Sequence, residues 1–102
     1  MRVISFKKLR EFWQDHPDAE KPLTDWFRVT VAAKWRNFME VRQTFGSSDI
    51  AVVGSGHTVT IFDVGGNKYR LIASIHYNTG IVYAMAVLTH KEYDKDKWKA
   101  RL

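Results

Sequence analysis

Between Phe62 and Asp94 the chain reads FDVGGNKYRLIASIHYNTGIVYAMAVLTHKEYD, in which Lys68, Arg70, His90 and Tyr93 bring two cations, an imidazole and a phenol. Phosphodiester chemistry uses these groups. A guanidinium holds phosphate through two parallel N–H donors, and an ammonium adds a mobile point charge. An imidazole, which titrates at about 6.5, gives or takes a proton around neutral pH. A phenol stacks on an unpaired base or joins the proton transfer. RNA is the substrate class that fits, because its own 2′-hydroxyl attacks the adjacent phosphorus once a base removes its proton. The site must then deprotonate that hydroxyl, stabilise charge on phosphorus and protonate the leaving 5′-oxygen. Charge stabilisation falls to Arg70 with help from Lys68, acid or base work to His90, and a second proton-transfer or stacking role to Tyr93. Which group is acid and which base stays open. Asn67 and Lys91 flank these positions as further RNA-binding candidates, and Asp94 either orients His90 or caps locally.

Two strands must position this set. Lys68 to Tyr77 and Ile81 to Thr89 are apolar and rich in β-branched residues, and Asn78-Thr79-Gly80 between them fits a three-residue hairpin loop with Gly80 left-handed. That loop predicts Tyr77 opposite Ile81, Ile75 opposite Tyr83, Ala73 opposite Met85 and Leu71 opposite Val87, all on one apolar side. The opposite side then collects Arg70, Ile72, Ser74 and His76 with Val82, Ala84, Ala86, Leu88 and His90, and sets Lys68 across from His90. Upstream, Thr58 to Val64 alternates as a strand, and Gly65-Gly66-Asn67 supplies a turn. Thr89 with Glu92 has the spacing of a capping box, which would fix where His90 and Tyr93 point.

The first half of the chain is helical in pattern. Val3 and Ile4 can pair as a short strand, Ser5 can cap a helix through its hydroxyl, and Phe6, Leu9, Phe12 and Trp13 recur at helical spacing up to Pro17. A second helix is predicted over Glu20 to Ala33, with Leu23, Trp26, Phe27 and Thr30 inward, and a short third helix or a turn follows Asn37 up to Gly46. Residues 47–56 hold a short strand or an ordered loop, and the Lys-rich tail from Lys95 forms a short helix or frays. Helices followed by strands imply an α+β domain: an antiparallel sheet of three to four strands with the N-terminal helices packed on one face and the other face free.

Composition bounds the rest. A chain of 102 residues supports one domain, 1–102, with one core. A net charge of +5 favours an anionic partner. With no cysteine, disulfides and thiolate zinc sites are excluded, and the four histidines show no metal-ligand spacing. His16, His57 and His76 lack partner spacing and read as structural or solvent-exposed. No apolar run reaches a membrane span and the start lacks a signal peptide's apolar core, so a cytoplasmic location without membrane partners is expected.

The run GGNKYRLI at Gly65–Ile72 followed by LTHKEYD at Leu88–Asp94 resembles the signature of the HigB family, a branch of the RelE-like mRNA interferases. WRNFMEVRQTF at Trp35–Phe45 and Ser48-Asp49 extend the likeness. The resemblance implies a RelE-like fold and the toxin of a type II toxin–antitoxin system: a metal-independent endoribonuclease, without cofactor, that cuts mRNA in the ribosomal decoding site. It further implies inhibition by a HigA-like antitoxin carrying a helix-turn-helix, and contact with operator DNA only through that complex. Arg70, His90 and Tyr93 match the motif positions of this branch. Two other readings stand beside it. One is a non-catalytic RNA- or DNA-binding module, against which the aliphatic Ile72, Val82, Ala84 and Leu88 argue, since single-strand platforms present aromatics. The other is a structural interaction protein whose sheet face or edge is completed by a partner peptide.

Overall fold

A computed structural model describes residues 1–102. The elements run β1 (Arg2–Ile4), α1 (Phe6–Asp15), a 3₁₀ turn (Pro17–Ala19), α2 (Glu20–Ala32), α3 (Phe38–Thr44), β2 (Asp49–Val52), β3 (Thr58–Val64), β4 (Tyr69–His76), β5 (Ile81–Thr89), α4 (His90–Asp94) and α5 (Lys97–Arg101). The sheet has five strands in the order β1-β5-β4-β3-β2. This corrects the expected three to four antiparallel strands, because β1 joins as a fifth strand and pairs parallel to β5, with Val3 beside Val82. A parallel partner must be reached by a crossover, and here α1 to α3 and the β2–β4 meander lie between the two strands. The other three pairings are antiparallel.

The helix layer forms where apolar side chains recur on one face. Leu9, Leu23, Trp26, Trp35 and Val41 bury against Phe62, Val64, Tyr69, Leu71, Ala73, Val82 and Ala84 of the sheet. Phe62 sits at the centre, edge-on to Trp26 and Phe45 at centroid distances of 5.3 and 5.4 Å. The Asn37 side chain accepts from the Glu40 amide at 3.0 Å and starts α3 as its sequence implies. Ser5 does not cap α1: it adopts φ 72° and makes no side-chain cap bond.

The hairpin register departs from the expected one and thereby reassigns faces. His76, not Tyr77, pairs with Ile81, so the loop has four residues, and Ile75 pairs with Val82, Ser74 with Tyr83 and Ala73 with Ala84. A bulge follows, since Ile72 pairs with Ala86 and Met85 is the extra residue; beyond it Leu71 meets Val87 as predicted. Val82 and Ala84 therefore face the helices, while Tyr83 and Met85 turn to the opposite side.

That opposite side is not free. Val53, Val59, Ile61 and Ile72 form a second buried cluster with Trp98 of α5, bordered by Met85, Ala86, Leu88, Tyr93 and Leu102. The Lys-rich tail thus folds back as a helix, held by a Gly54 amide donating to the Lys99 carbonyl at 2.7 Å. Glycine suits this approach, since a Cβ at position 54 would lie 3.1 Å from that same oxygen and α5 would have to move back by a few tenths of an ångström. Trp98 is the one large apolar side chain that α5 contributes to the cluster, and truncating a buried aromatic costs about 3–5 kcal/mol. Trp98→Ala is expected to lose stability in that range by urea denaturation, while a loss below about 1 kcal/mol would mean α5 only rests on the sheet.

Candidate active site

The charged end of the outer sheet face is organised around Arg70. Tyr69 pairs with Val64 on one side and Thr89 on the other, so the next pairs along β4 set Arg70 between Asp63 and Leu88. Asp63 takes the guanidinium Nε at 3.0 Å. Nη1 donates to the Tyr69 carbonyl at 3.1 Å and the Asn67 carbonyl at 3.4 Å, and Nη2 donates to Asn67 Oδ1 at 3.3 Å. The Tyr93 ring roofs the group, 5.3 Å from Cζ. Arg70 is only 8% exposed. Of the five N–H donors of a guanidinium, three make hydrogen bonds and the Nε one lies in the ion pair with Asp63, which leaves one on Nη2 without a protein partner. The two-pronged phosphate grip expected of Arg70 therefore requires Asn67 to let go of Nη2.

Lys68 and His90 are neighbours through the backbone, where the His90 amide donates to the Lys68 carbonyl at 3.0 Å. Their side chains part. The Lys68 ammonium reaches Asp18 in the 3₁₀ turn of the helix layer, at 2.9 Å, instead of standing with Arg70 on the outer face. Asp18 also accepts from the Tyr69 hydroxyl, and these two donors hold its carboxyl below the usual range, the phenol contributing most. The pull is mutual, since the Asp18 carboxylate raises the Tyr69 phenol.

The segment after β5 positions the remaining candidates. Thr89 Oγ1 accepts from the Glu92 amide at 3.2 Å and Glu92 Oε1 accepts from the Thr89 amide at 3.0 Å, the reciprocal pair that the sequence spacing predicts. α4 therefore begins at His90 with a fixed direction. His90 Nδ1 lies 2.9 Å from Asp94 Oδ2, one helical turn on. A carboxylate only accepts, so in the neutral ring the tautomer with the proton on Nδ1 is the favoured one, and it leaves the lone pair on Nε2. Both side chains are about half exposed, open to a substrate but weak as a stabilising pair. Tyr93 turns the other way, over Arg70, and stacks on Trp98 at 5.5 Å. Burial, then the Asp49 carboxylate, raise its phenol above the ordinary value, while Arg70 pulls it back in part. Lys91 is exposed on α4.

The structure thus brings Asn67, Arg70 and Tyr93 into contact and sets the His90–Asp94 pair on the same short helix as Tyr93. It ties Lys68 elsewhere. Asp63 and Trp98 touch these residues directly, and Asp49 acts on Tyr93 through its charge; none of the three stands out in the sequence as a site residue. Asp63 could have been found by counting across the four-residue turn at Gly65–Lys68, which places it opposite Arg70. No three His, Cys, Asp or Glu side chains gather closely enough to hold a metal ion. A separate recess of about 520 Å³ on the outer face is lined by His57, Ser74, His76, Tyr83 and Met85, among others, with the His76 and Tyr83 rings edge to face at 5.0 Å.

A family model described as HigB_toxin, RelE-like toxic component of a toxin–antitoxin system, matches residues 19–96. Among curated proteins, the mRNA interferase toxin HigB of Escherichia coli (strain K12) is 28% identical over 94 residues, spanning 92% of this chain and 88% of its own. The mRNA interferase HigB proteins of Escherichia coli O157:H7 and Shigella flexneri match with the same identity and coverage.

The phenols give a pH signature. With its folded pKa raised, Tyr93 holds its proton at pH values where the unfolded chain, at about 10, has begun to lose it. Its contribution to stability is therefore complete below pH 10 and falls as pH rises through the folded value. Spectrophotometric titration is expected to show phenolate appearing later in wild type than in the urea-unfolded chain, with the late component reduced in Tyr93→Phe. Coincident folded and unfolded titrations would contradict this environment.

Proposed function

This chain belongs to the HigB toxin family, and we propose that residues 1–102 act as one toxin domain whose outer sheet face and α4 cleave mRNA. The toxin of a toxin–antitoxin system has an antitoxin partner and, in this family, an RNA target; the chain is an endoribonuclease of the mRNA interferase kind. What supports the site assignment is the Arg70–Tyr93 contact, with the His90–Asp94 pair on the same short helix as Tyr93.

His90 serves as general base. Its Nδ1 faces Asp94, so Nε2 takes the proton of the 2′-hydroxyl as that oxygen attacks phosphorus. Asp94 is a positioning residue that fixes the tautomer. Tyr93, as a phenol, is protonated near neutral pH, so it is a donor and not a base, and it supplies a proton to the departing 5′-oxygen. Bond formation at phosphorus and loss of the 5′-oxygen leave a 2′,3′-cyclic phosphate and a 5′-hydroxyl. Arg70 presents its remaining Nη2 proton and its charge to the phosphorane oxygens from a frame set by Asp63 and Asn67. Lys91 contacts the RNA backbone, and Lys68 joins only where RNA displaces Asp18. The sparse proton-transfer set fits a toxin that cuts mRNA on the ribosome, which supplies part of the alignment. A HigA-like helix-turn-helix antitoxin inhibits it, and operator DNA is met only through that complex. The action is in the cytoplasm; no helix is long and apolar enough to cross a membrane.

His90→Ala and Tyr93→Phe are expected to lower the cleavage rate by about 10²–10⁴ and to relieve growth arrest on expression without antitoxin. Arg70→Ala should do the same but also lose about 1.5–3 kcal/mol, because Asp63 keeps its charge without its partner. Mapping mRNA 5′ ends together with urea denaturation separates the two effects. Undiminished cleavage by a folded His90→Ala/Tyr93→Phe protein would remove these residues from the chemistry.

A further inference from the structure

Beyond Tyr93 the chain makes a second basic feature that none of the assignments above uses. Leu88, Glu92, Lys95, Lys97, Trp98 and Arg101 line a recess of about 260 Å³ between the ends of α4 and α5. Its walls carry three cations and one carboxylate. The carboxylate is already committed, since Glu92 Oε1 closes the capping box with the Thr89 amide. The other acids nearby are engaged too: Asp94 with His90, and Asp96 with Lys99 at 3.5 Å. Lys95, Lys97 and Arg101 consequently have no carboxylate within 4.0 Å, unlike Lys68 and Arg70. Three unpaired cations around one concavity repel one another and gain from an anion.

The recess is rigidly joined to the candidate active site. Trp98 forms its floor, donates from Nε1 to the Tyr93 carbonyl at 3.1 Å and stacks on the Tyr93 ring, which in turn covers Arg70. Helix α5 also lies past residue 96, where the family match ends.

We propose that Lys95, Lys97 and Arg101 form a subsite for a backbone phosphate of single-stranded RNA, flanking the phosphodiester held at Arg70 and His90. This rests on the ribonuclease reading above. A strand crossing Tyr93 carries a phosphate with every nucleotide, so a neighbour of the cleaved one reaches the recess on the far side of the Tyr93–Trp98 pair. Lys97 and Arg101 on α5 meet it from one wall and Lys95 from the other. The contact is to backbone, so it adds affinity without base preference.

The test uses the full chain and a non-cleavable 2′-O-methyl oligoribonucleotide, with binding followed against salt. Each single-strand phosphate contact contributes about 0.7 to the slope of log K against log salt. Lys97→Ala/Arg101→Ala is expected to reduce that slope by roughly 1.4, two contacts' worth, with the thermal midpoint unchanged and affinity at low salt lowered at least tenfold. Lys21→Ala/Arg28→Ala, which removes the same charge from the surface of α2, is expected to leave the slope at the wild-type value. Equal slopes in the two double variants, or a wild type that does not bind the oligonucleotide, would overturn the proposal. So would a recess variant that binds RNA normally but escapes the antitoxin, because the recess would then receive an acidic segment of that partner. Absence of mRNA cleavage by wild type, with the slope difference intact, would instead strike the ribonuclease reading and leave an RNA-binding recess.

Discussion

The β4–β5 hairpin serves two cores, and one extra residue decides which β5 side chains enter each. Without the bulge at Met85, strict alternation from the hairpin loop would carry one set of β5 side chains along a single face. With it, Val82 and Ala84 bury under the helices near the loop, while Ala86 and Leu88 meet Ile72 and Trp98 on the outer face farther along. A bulge frees backbone groups that the ladder would otherwise satisfy. Lys8 of α1 reaches across and donates to the Met85 carbonyl at 2.9 Å, so the helix layer itself secures the irregularity. At the charged end the bulge offsets the longer loop, so that Arg70 lies opposite Leu88 and β5 ends at Thr89, where α4 begins.

The elements of this fold were legible because their periods differ. Helical spacing over Phe6–Asp15 and Glu20–Ala32, the β-branched runs of β3 to β5 and the Thr89–Glu92 box all carry local signals that tertiary packing did not override. What stayed hidden depended on contacts distant in sequence. Val3 and Ile4 look like a strand, but nothing local says that their partner is β5 or that the pairing is parallel. The loop length was misread because Gly80 does take the left-handed conformation, as a three-residue loop requires, while Tyr77 also leaves the ladder. In KWKAR a single apolar residue among cations gives no periodicity, so only the buried position of Trp98 shows α5 to be part of a core.

For the site, residue types were readable and their electrostatic state was not. Alternation places Arg70 on the correct face, but its neutralisation by Asp63 follows from the pairing of β3 across the Gly65–Lys68 turn, which alternation within β4 does not reveal. Lys68 shares the parity of Arg70 and was expected beside it. It lies in that turn and not in a strand, so alternation does not govern its direction, and Asp18 captures the ammonium.

These pairings constrain how RNA can be held. A guanidinium fixed by three hydrogen bonds and an ion pair needs no reorganisation when charge develops on phosphorus, which favours the transition state over the ground state. The same fixation makes it a poor anchor for the ground-state strand, since Asp63 cancels much of its long-range field and one N–H is left to offer. Lys68 is similarly compensated by Asp18. Attraction of the polyanion must then come from cations that have no internal partner, and the chain's net charge of +5 means that such cations exist in excess. A division follows in which rigid, paired charge acts on the reacting phosphate while flexible, unpaired charge nearby captures the strand. That arrangement gives affinity and rate to different side chains, so each can change without loss of the other.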